Sequence, residues 1–258
     1  MPHYDFRTPR IHVDAPLAAG AEVPLDRHQA NHLCNVLRLQ AGDAVLVFNG
    51  RDGEWGAELC GSGKRVAARL DRQHRPQPPR ADLDFLFAPL KHARLDYMVQ
   101  KAVELGVTRI RPVLTQHTQV TRINLERMRA NVIEAAQQCG VLTIAEVAEP
   151  VQLKSVAAGD PERLLIFCDE DAEVADAITA LGKARSQPSA LVPSDAASAQ
   201  KLAVLIGPEG GFSEAERALL MQRPNIVRLS LGPLILRADT AAVAALTLTQ
   251  AVLGNWRS

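Results

Sequence analysis

No stretch of this chain approaches the ~18 consecutive apolar residues needed to cross a bilayer. The opening Met1-Pro2-His3-Tyr4-Asp5 also lacks the apolar core of a secretion signal. Neither membrane insertion nor export is expected, and the cytoplasm is. Cysteine is scarce. Cys34, Cys60, Cys139 and Cys168 lie far apart with no CxxC pair, which excludes a zinc ribbon or dithiol redox motif and suits a reducing compartment. No metal site is expected. Net charge is missing too: 29 basic residues balance 29 acidic ones, so the chain as a whole does not announce a polyanion partner. What remains is the composition of a packed globular protein, 47% hydrophobic and 22% charged, with aromatics held to 4%. At 258 residues it is long enough for one large or two ordinary domains.

Charge is uneven even where its sum vanishes. Lys64, Arg65, Arg69, Arg72, Arg75 and Arg80 face one acid, Asp71. Such a strip can follow phosphates on a neutral protein; a solvated edge strand with a linker would carry it as well. The clearest boundary falls in the same region. Pro76, Pro78 and Pro79, within the segment 72–80, cannot continue a helix or a central strand. A stiff linker over 74–81 is predicted, dividing a domain over 1–73 from a domain over 82–258.

The first part reads as short strands at Arg10–Val13, Ala21–Leu25, Ala44–Asn49, Glu54–Cys60 and Arg65–Leu70, with glycine turns at 50–53 and 61–63. One helix, from Asp26 as N-cap to about Leu39, places Leu33, Val36 and Leu37 on an apolar stripe. The pattern predicts a small β-barrel of about five strands. Beyond the linker, apolar strands alternate with helices. Strands are predicted at Leu83–Ala88, Arg109–Leu114, Ile144–Val147, Leu164–Cys168, Leu202–Ile206 and Ile226–Leu231. Helices are predicted near Arg94–Leu105, Asn124–Cys139, Val174–Leu181, Ser213–Met221 and Thr240–Leu253, with a surface loop at Pro188–Gln200. Strands without polar alternation, separated by helices, imply an α/β domain whose parallel sheet is covered on both faces.

Open parallel sheets place ligands beyond the carboxyl ends of their strands. Two such ends stand out. Leu202–Ile206 runs into Gly207-Pro208-Glu209-Gly210-Gly211-Phe212, where Ser213 and Glu216 form a capping box that starts a helix. The glycines admit a ligand close to the backbone, and the helix start offers free N–H groups. No Lys-Ser/Thr stands where a nucleoside-triphosphate loop needs one, and a tight structural turn would use the same residues. The second end is Leu229-Ser230-Leu231-Gly232-Pro233-Leu234-Ile235-Leu236-Arg237-Ala238-Asp239-Thr240-Ala241. Arg237 lies in an apolar stretch where an unpaired guanidinium would be costly, so it needs Asp239, Glu209, a phosphate or a substrate. Ile235 and Leu236 offer apolar walls to a flat heterocycle.

Together, the segment L-I-G-P-E-G-G-F-S-x-x-E and, about twenty residues on, L-S-L-G-P-x-I-L-R-x-D-T-A resemble the ribosomal RNA small-subunit methyltransferase E family of the SPOUT class. The likeness extends along the chain. His32-Leu33-Cys34-Asn35-Val36-Leu37-Arg38 resembles the family's H-L-x-x-V-L-R segment. Lys91 with Lys101-Ala102-Val103-Glu104-Leu105-Gly106-Val107 and Glu134-Ala135-Ala136-Gln137-Gln138-Cys139-Gly140 resemble two further elements. The resemblance implies an α/β trefoil-knot domain with a parallel sheet behind a small N-terminal PUA-like, RNA-binding β-barrel. It implies an S-adenosylmethionine (SAM)-dependent enzyme that methylates N3 of a uridine in 16S rRNA, either free or within the small ribosomal subunit, and that works as a homodimer.

Carried over residue by residue, the resemblance puts Ile206, Gly207 and Gly211 on one side of the cofactor and Ser230, Leu231, Gly232, Ile235 and Leu236 on the other. Thr240 and Ala241 open the helix that closes the pocket. Arg237 becomes the candidate catalytic residue, stabilising negative charge on the pyrimidine. Arg7, Arg10, Arg38, Lys64, Arg65 and Arg69 become candidate phosphate contacts, which position RNA without reading its sequence. Three residues depart from the family's habit. Leu234 stands where an arginine is frequent, Asp239 where Glu is commoner, and Val141 where a basic residue is frequent. Leu234 keeps open a catalytically impaired RNA-binding protein acting in ribosome assembly.

Overall fold

A computed structural model of the chain describes residues 5, 7–63, 65–120, 122–173, 176–186 and 200–256. All but the last residue of the expected loop Pro188–Gln200 lies outside them, as does Lys64. The chain forms two compact units. One comprises Met1–Arg80 with Ile133–Ile144, and the other Ala81–Val132 with Ala145–Ser258.

Among the described residues the first unit is a curled, mixed sheet of five strands. Its strands are β1 (Arg10–His12), β2 (Glu22–Pro24), β3 (Ala44–Phe48), β4 (Glu54–Ser62) and β5 (Arg65–Arg75), in the order β1-β3-β4-β5-β2. Only β1 and β3 run parallel; the other pairings are antiparallel. Ile11, Val23, Val45, Val47, Leu59, Val66 and Leu70 share one core with Leu33. This is the expected PUA-like barrel, with β5 running five residues past Leu70 and into the predicted linker. The register shift of β4 against β5 between Glu54 and Ala57 lets the long pair bend.

The helix expected from Asp26 to Leu39 is shorter and of two kinds. Asp26 does cap it, in a reciprocal box with Gln29, but α1 spans only Arg27–Asn31. A π-helical turn over His32–Val36 follows, with Leu37 N–H donating to His32 O at 2.9 Å, and Arg38 then turns to φ 61°. The wider turn changes which side chains face inward. Leu33 is fully buried, whereas Val36 and Leu37 face solvent.

One buried acid organises the rest of this unit. Glu54 accepts from Arg75 Nε at 2.8 Å and from Arg10 Nε at 2.5 Å. Those guanidiniums also donate to the carbonyls of Gly140 and Gln137, tying the segment 133–144 to the sheet. Arg10 is therefore not the surface phosphate contact expected of it; its side chain is 5% exposed and its charge is spent on Glu54.

Among the described residues the second unit carries seven parallel strands. They are β6 (Leu83–Phe87), β7 (Arg109–Leu114), β8 (Glu146–Val147), β9 (Val151–Gln152), β10 (Leu164–Cys168), β11 (Leu202–Ile206) and β12 (Ile226–Leu229). The order is β12-β10-β11-β6-β7-β8, with β9 also paired to β7. Every residue of β6, β10 and β11 is buried, as expected of strands covered on both faces. Leu165, Phe167, Ala203, Leu205 and Leu86 pack on one side with Leu153 and Val156 of α4 (Leu153–Ala157) and Leu220 of α6 (Glu214–Leu220). The remaining helices are α2 (His92–Glu104), α3 (Leu125–Cys139), α5 (Ala177–Ser186) and α7 (Ala238–Val252).

Helix α4 and the strand before it are absent from the sequence reading. The helix has no side-chain N-cap. Its closing carbonyls, Val156 O and Ala157 O, are met by the Arg223 guanidinium at 2.7 and 3.2 Å. The helix therefore depends on a residue far along the chain.

The Glu54 cluster yields a stability prediction. Burial pushes its carboxyl pKa up, but the bonds from Arg75 and Arg10 outweigh this and hold it below the usual carboxylate range. A depressed folded-state pKa means that its contribution is complete above the ordinary ~4.3 and is lost as pH falls through the folded value. Glu54→Gln leaves two shielded guanidiniums facing a neutral amide. It should destabilise the first unit by about 3–5 kcal/mol, read as a lower urea midpoint at pH 7 that converges on wild type in acid.

Candidate active site

The strand order brings three carboxyl ends side by side, with β10 between β11 and β12. The two glycine-bearing loops singled out in the sequence therefore leave strands on either side of β10. Asp169, the first residue after β10, occupies the gap. Its N–H donates to Leu229 O at 3.1 Å, and its side chain is wholly buried. Arg217 of α6 donates from Nε to both carboxylate oxygens at 3.0 and 3.2 Å. Arg228 of β12 donates from Nε to Oδ2 at 2.7 Å. Burial works against the Arg217 charge, but the bond to Asp169 and the fields of Asp169, Glu170 and Asp171 outweigh it and leave its pKa raised.

The first loop is a tight turn set on this base. Ile206 is buried at the end of β11. Gly211 N–H donates to Pro208 O at 2.9 Å. At Gly207 an added Cβ would overlap the Phe212 ring, which packs edge-on against Phe167 with centroids 4.9 Å apart. Gly211 sits at φ 69°, and a Cβ there would overlap Glu170 Oε1. Glu170 is held in place by the far side of Arg217, at 2.7 Å. Ser213 caps α6 in the expected reciprocal box with Glu216. The other Glu216 oxygen accepts from Gln116 N–H at 2.8 Å, and His117 Nδ1 lies 3.0 Å from Gly211 O. The loop after β7 is thereby tied to the same turn.

The second loop is open. β12 ends at Leu229, two residues short of the expected Leu231. Ser230 is buried with Oγ 3.5 Å from Gly232 O. Gly232 lies at φ 108° with nothing within 4 Å of where a Cβ would stand. Leu231 and Leu236 are half-buried, while Leu234 is 77% and Ile235 97% exposed. Among the described residues no partner meets the backbone N–H groups of Leu231, Gly232, Leu234, Ile235 or Leu236. Arg237 is the N-cap of α7, and its side chain makes no cap bond. Thr240 and Ala241 lie in the first turn, with Thr240 N–H donating to Asp239 Oδ1 at 3.1 Å.

The environment of Arg237 differs from the expected one. It is exposed rather than enclosed, next to a segment in which Pro233, Leu234 and Ile235 face solvent. Neither expected protein partner takes it. Glu209 pairs with Arg94 of α2, and Asp239 is turned to its own helix end. Among the described residues Arg237 has no ion pair. Of the candidate phosphate contacts, Arg7, Arg38 and Arg65 are exposed, and Arg69 is exposed but paired with Glu58 at 3.1 Å.

The arrangement suits a ligand read by backbone groups and apolar contact. It does not suit a thiol nucleophile. Burial pushes Cys168, directly behind Asp169, up to about 12. Among the described residues no group of three His, Cys, Asp or Glu is placed to hold a metal ion. Sequence reasoning missed Asp169, Glu170, Arg217 and Arg228. An acid directly after the all-apolar run Leu164–Cys168 was the available signal.

Comparison with known proteins identifies this architecture. A family model for an RNA methyltransferase domain matches residues 76–250, and one for an RNA methyltransferase PUA domain matches 25–70. The ribosomal RNA small subunit methyltransferase E of Rickettsia conorii is 30% identical over 92% of this chain and 93% of its own length. The chain belongs to that methyltransferase family. A Legionella pneumophila structure described as a methyltransferase, in complex with the bound cofactor SAM, is 30% identical, with TM-score 0.79 over 95% of this chain and 98% of that one. A small subunit methyltransferase E from Neisseria gonorrhoeae, 24% identical, shares the fold with TM-score 0.78 over 95% and 98% of the two chains. The family membership and the two-part fold that the motifs implied are thus both found.

The methyltransferase loops make a direct test of backbone constraint possible. Gly211→Ala should lose about 1–2 kcal/mol from the left-handed conformation alone and should displace Glu170. Thermal unfolding measures the first effect, and a changed Glu170 rotamer in a crystal structure of the variant measures the second.

Proposed function

We propose that this methyltransferase transfers a methyl group from SAM to N3 of a uridine in 16S rRNA. The observation that supports this reading best is the pair of loops at one edge of the parallel sheet. One is closed and rigid; the other presents an open glycine, free N–H groups and projecting Leu234 and Ile235. Ile206, Gly207 and Gly211 would flank the cofactor on one side. Ser230, Leu231, Gly232, Ile235 and Leu236 would flank it on the other, with Thr240 and Ala241 at the helix that closes the pocket. This donor set of backbone groups and apolar side chains fits adenine and a thioether chain. SAM supplies a methyl group on a positively charged sulfur, so the protein's work is alignment and exclusion of water.

Uridine N3 carries a proton and is a poor nucleophile until it is lost. Arg237, exposed and uncommitted, is the cation available to stabilise the resulting charge on N3 and its flanking oxygens. Because N3 lies on the Watson–Crick edge, the target must be unpaired or turned out of its helix. Arg7, Arg38, Arg65 and Arg69 would hold the RNA backbone, with Lys64 beside them in sequence. We also infer a homodimer, in which a second subunit covers the exposed Leu234 and Ile235, and a trefoil-knotted α/β domain over 82–258 behind a barrel over 1–73. A cytoplasmic setting follows from the proposed substrate.

The test is transfer of labelled methyl from SAM to rRNA and to small subunits from a strain lacking the enzyme, followed by mass mapping of the product. N3-methyluridine at one position supports the proposal. Methylation at another atom overturns the N3 assignment, and RNA binding without transfer supports the assembly role that Leu234 leaves open. Arg237→Ala should lower single-turnover methyl transfer by about 10²–10³-fold without altering the circular dichroism spectrum.

A further inference from the structure

Among the described residues no hydrogen bond joins the first glycine loop to the second. Their spacing is nevertheless closed by one group. We propose that Asp169 is a positioning residue that sets the two loops at a single separation for the ligand held between them. The proposal rests on the cofactor reading of those loops given above.

The physical argument starts from the sheet. Strands β11 and β12 are not neighbours, so no ladder bonds relate their ends directly. Beyond the last ladder bond only side chains can fix one loop against the other. Asp169 stands on the strand between them, with its backbone N–H on Leu229 O at 3.1 Å. One carboxylate oxygen receives Arg217 and Asp171 N–H at 3.0 and 3.2 Å; the other receives Arg228 at 2.7 Å. Arg217 belongs to the helix that follows the first loop, and Arg228 lies two residues before Ser230 of the second. Arg217 then reaches Glu170, whose carboxylate lies against the Cα of Gly211. The carboxylate is fully buried, so a change in its charge cannot be made good by water. A ligand gripped from both sides is sensitive to such spacing, because displacement by about 1 Å can cost about 10²-fold in reaction rate.

Asp169→Asn in the full chain preserves volume and removes the charge. In cofactor-free protein, amides of 207–212 and 230–236 should exchange hydrogen at least about tenfold faster together, with β6 and β7 unchanged, as expected for local rather than global opening. SAM affinity by calorimetry on the folded protein should weaken by at least about tenfold, equivalent to about 1.4 kcal/mol, while RNA affinity stays at the wild-type value. Asp169→Asn combined with Arg217→Gln should bind SAM no worse than Asp169→Asn alone, because both act through one contact.

Faster exchange in one loop only, or spread evenly over the whole second unit, overturns the proposal. So does unchanged SAM affinity in a variant whose wild type binds SAM. Arg228→Lys keeps the charge but loses the planar fork, and it supplies the same two readouts if the asparagine variant does not fold. A wild type that binds no SAM defeats the cofactor reading, while the exchange pattern still judges the clamp on its own.

Discussion

A carboxylate at the end of β10 is where the α/β unit converges. Parallel strands deliver their loops to one edge of a sheet, but a ladder of backbone bonds says nothing about how loops beyond it are spaced. Asp169 supplies that relation by accepting from Arg217 and Arg228 at once. Buried ion pairs of this kind add little net stability, since desolvation offsets most of the attraction. Their value is direction: a planar guanidinium on a carboxylate admits few geometries. The rigid Gly207–Phe212 turn and the open Ser230–Leu236 loop are referred to one point by it.

The same device recurs through the chain. Glu54 takes Arg10 and Arg75, Asp84 takes Arg109 and Arg163, and Asp169 takes Arg217 and Arg228. In each case a buried acid is shared by two arginines. A further arginine, the buried Arg223, spends its donors on carbonyls at and just beyond the end of α4. Much of the positive charge counted in the sequence is therefore structural. Arg7, Arg38, Arg65 and Arg237 are among the arginines that stay exposed with no ion pair among the described residues, on loops and strand ends rather than in the core.

Much of the fold was legible beforehand for local reasons. Leu164–Cys168, Leu202–Ile206 and Arg109–Leu114 match the observed strands residue for residue; the first two are unbroken apolar runs, which have few other uses when flanked by turn residues. The Ser213–Glu216 capping box and the Asp26 N-cap form as the sequence implied, and Asp26 gains a reciprocal bond with Gln29 besides. The departures are tertiary. The π-helical turn after Asn31 rotates Val36 and Leu37 outward and keeps Leu33 in the core. Strand β5 continues to Arg75 because Glu54 on the neighbouring strand holds that arginine. Arg10, expected at the surface as a phosphate contact, is taken from it by the same acid.

Composition, apolar periodicity and glycine spacing were enough to indicate a curled sheet followed by a parallel one, and the two glycine-bearing turns that leave strands of the second; that 133–144 joins the first unit was not among them. These are properties of neighbouring residues, whose propensities and turn geometry are written within a few positions of one another. Which charges are free and which are spent was decided only by the tertiary structure. Asp169 is separated from Arg217 by 48 residues and from Arg228 by 59, and pairing across such distances depends on strand order rather than on local pattern. The separation of the two loops belongs to that second kind of information, since it exists only once β10 lies between β11 and β12.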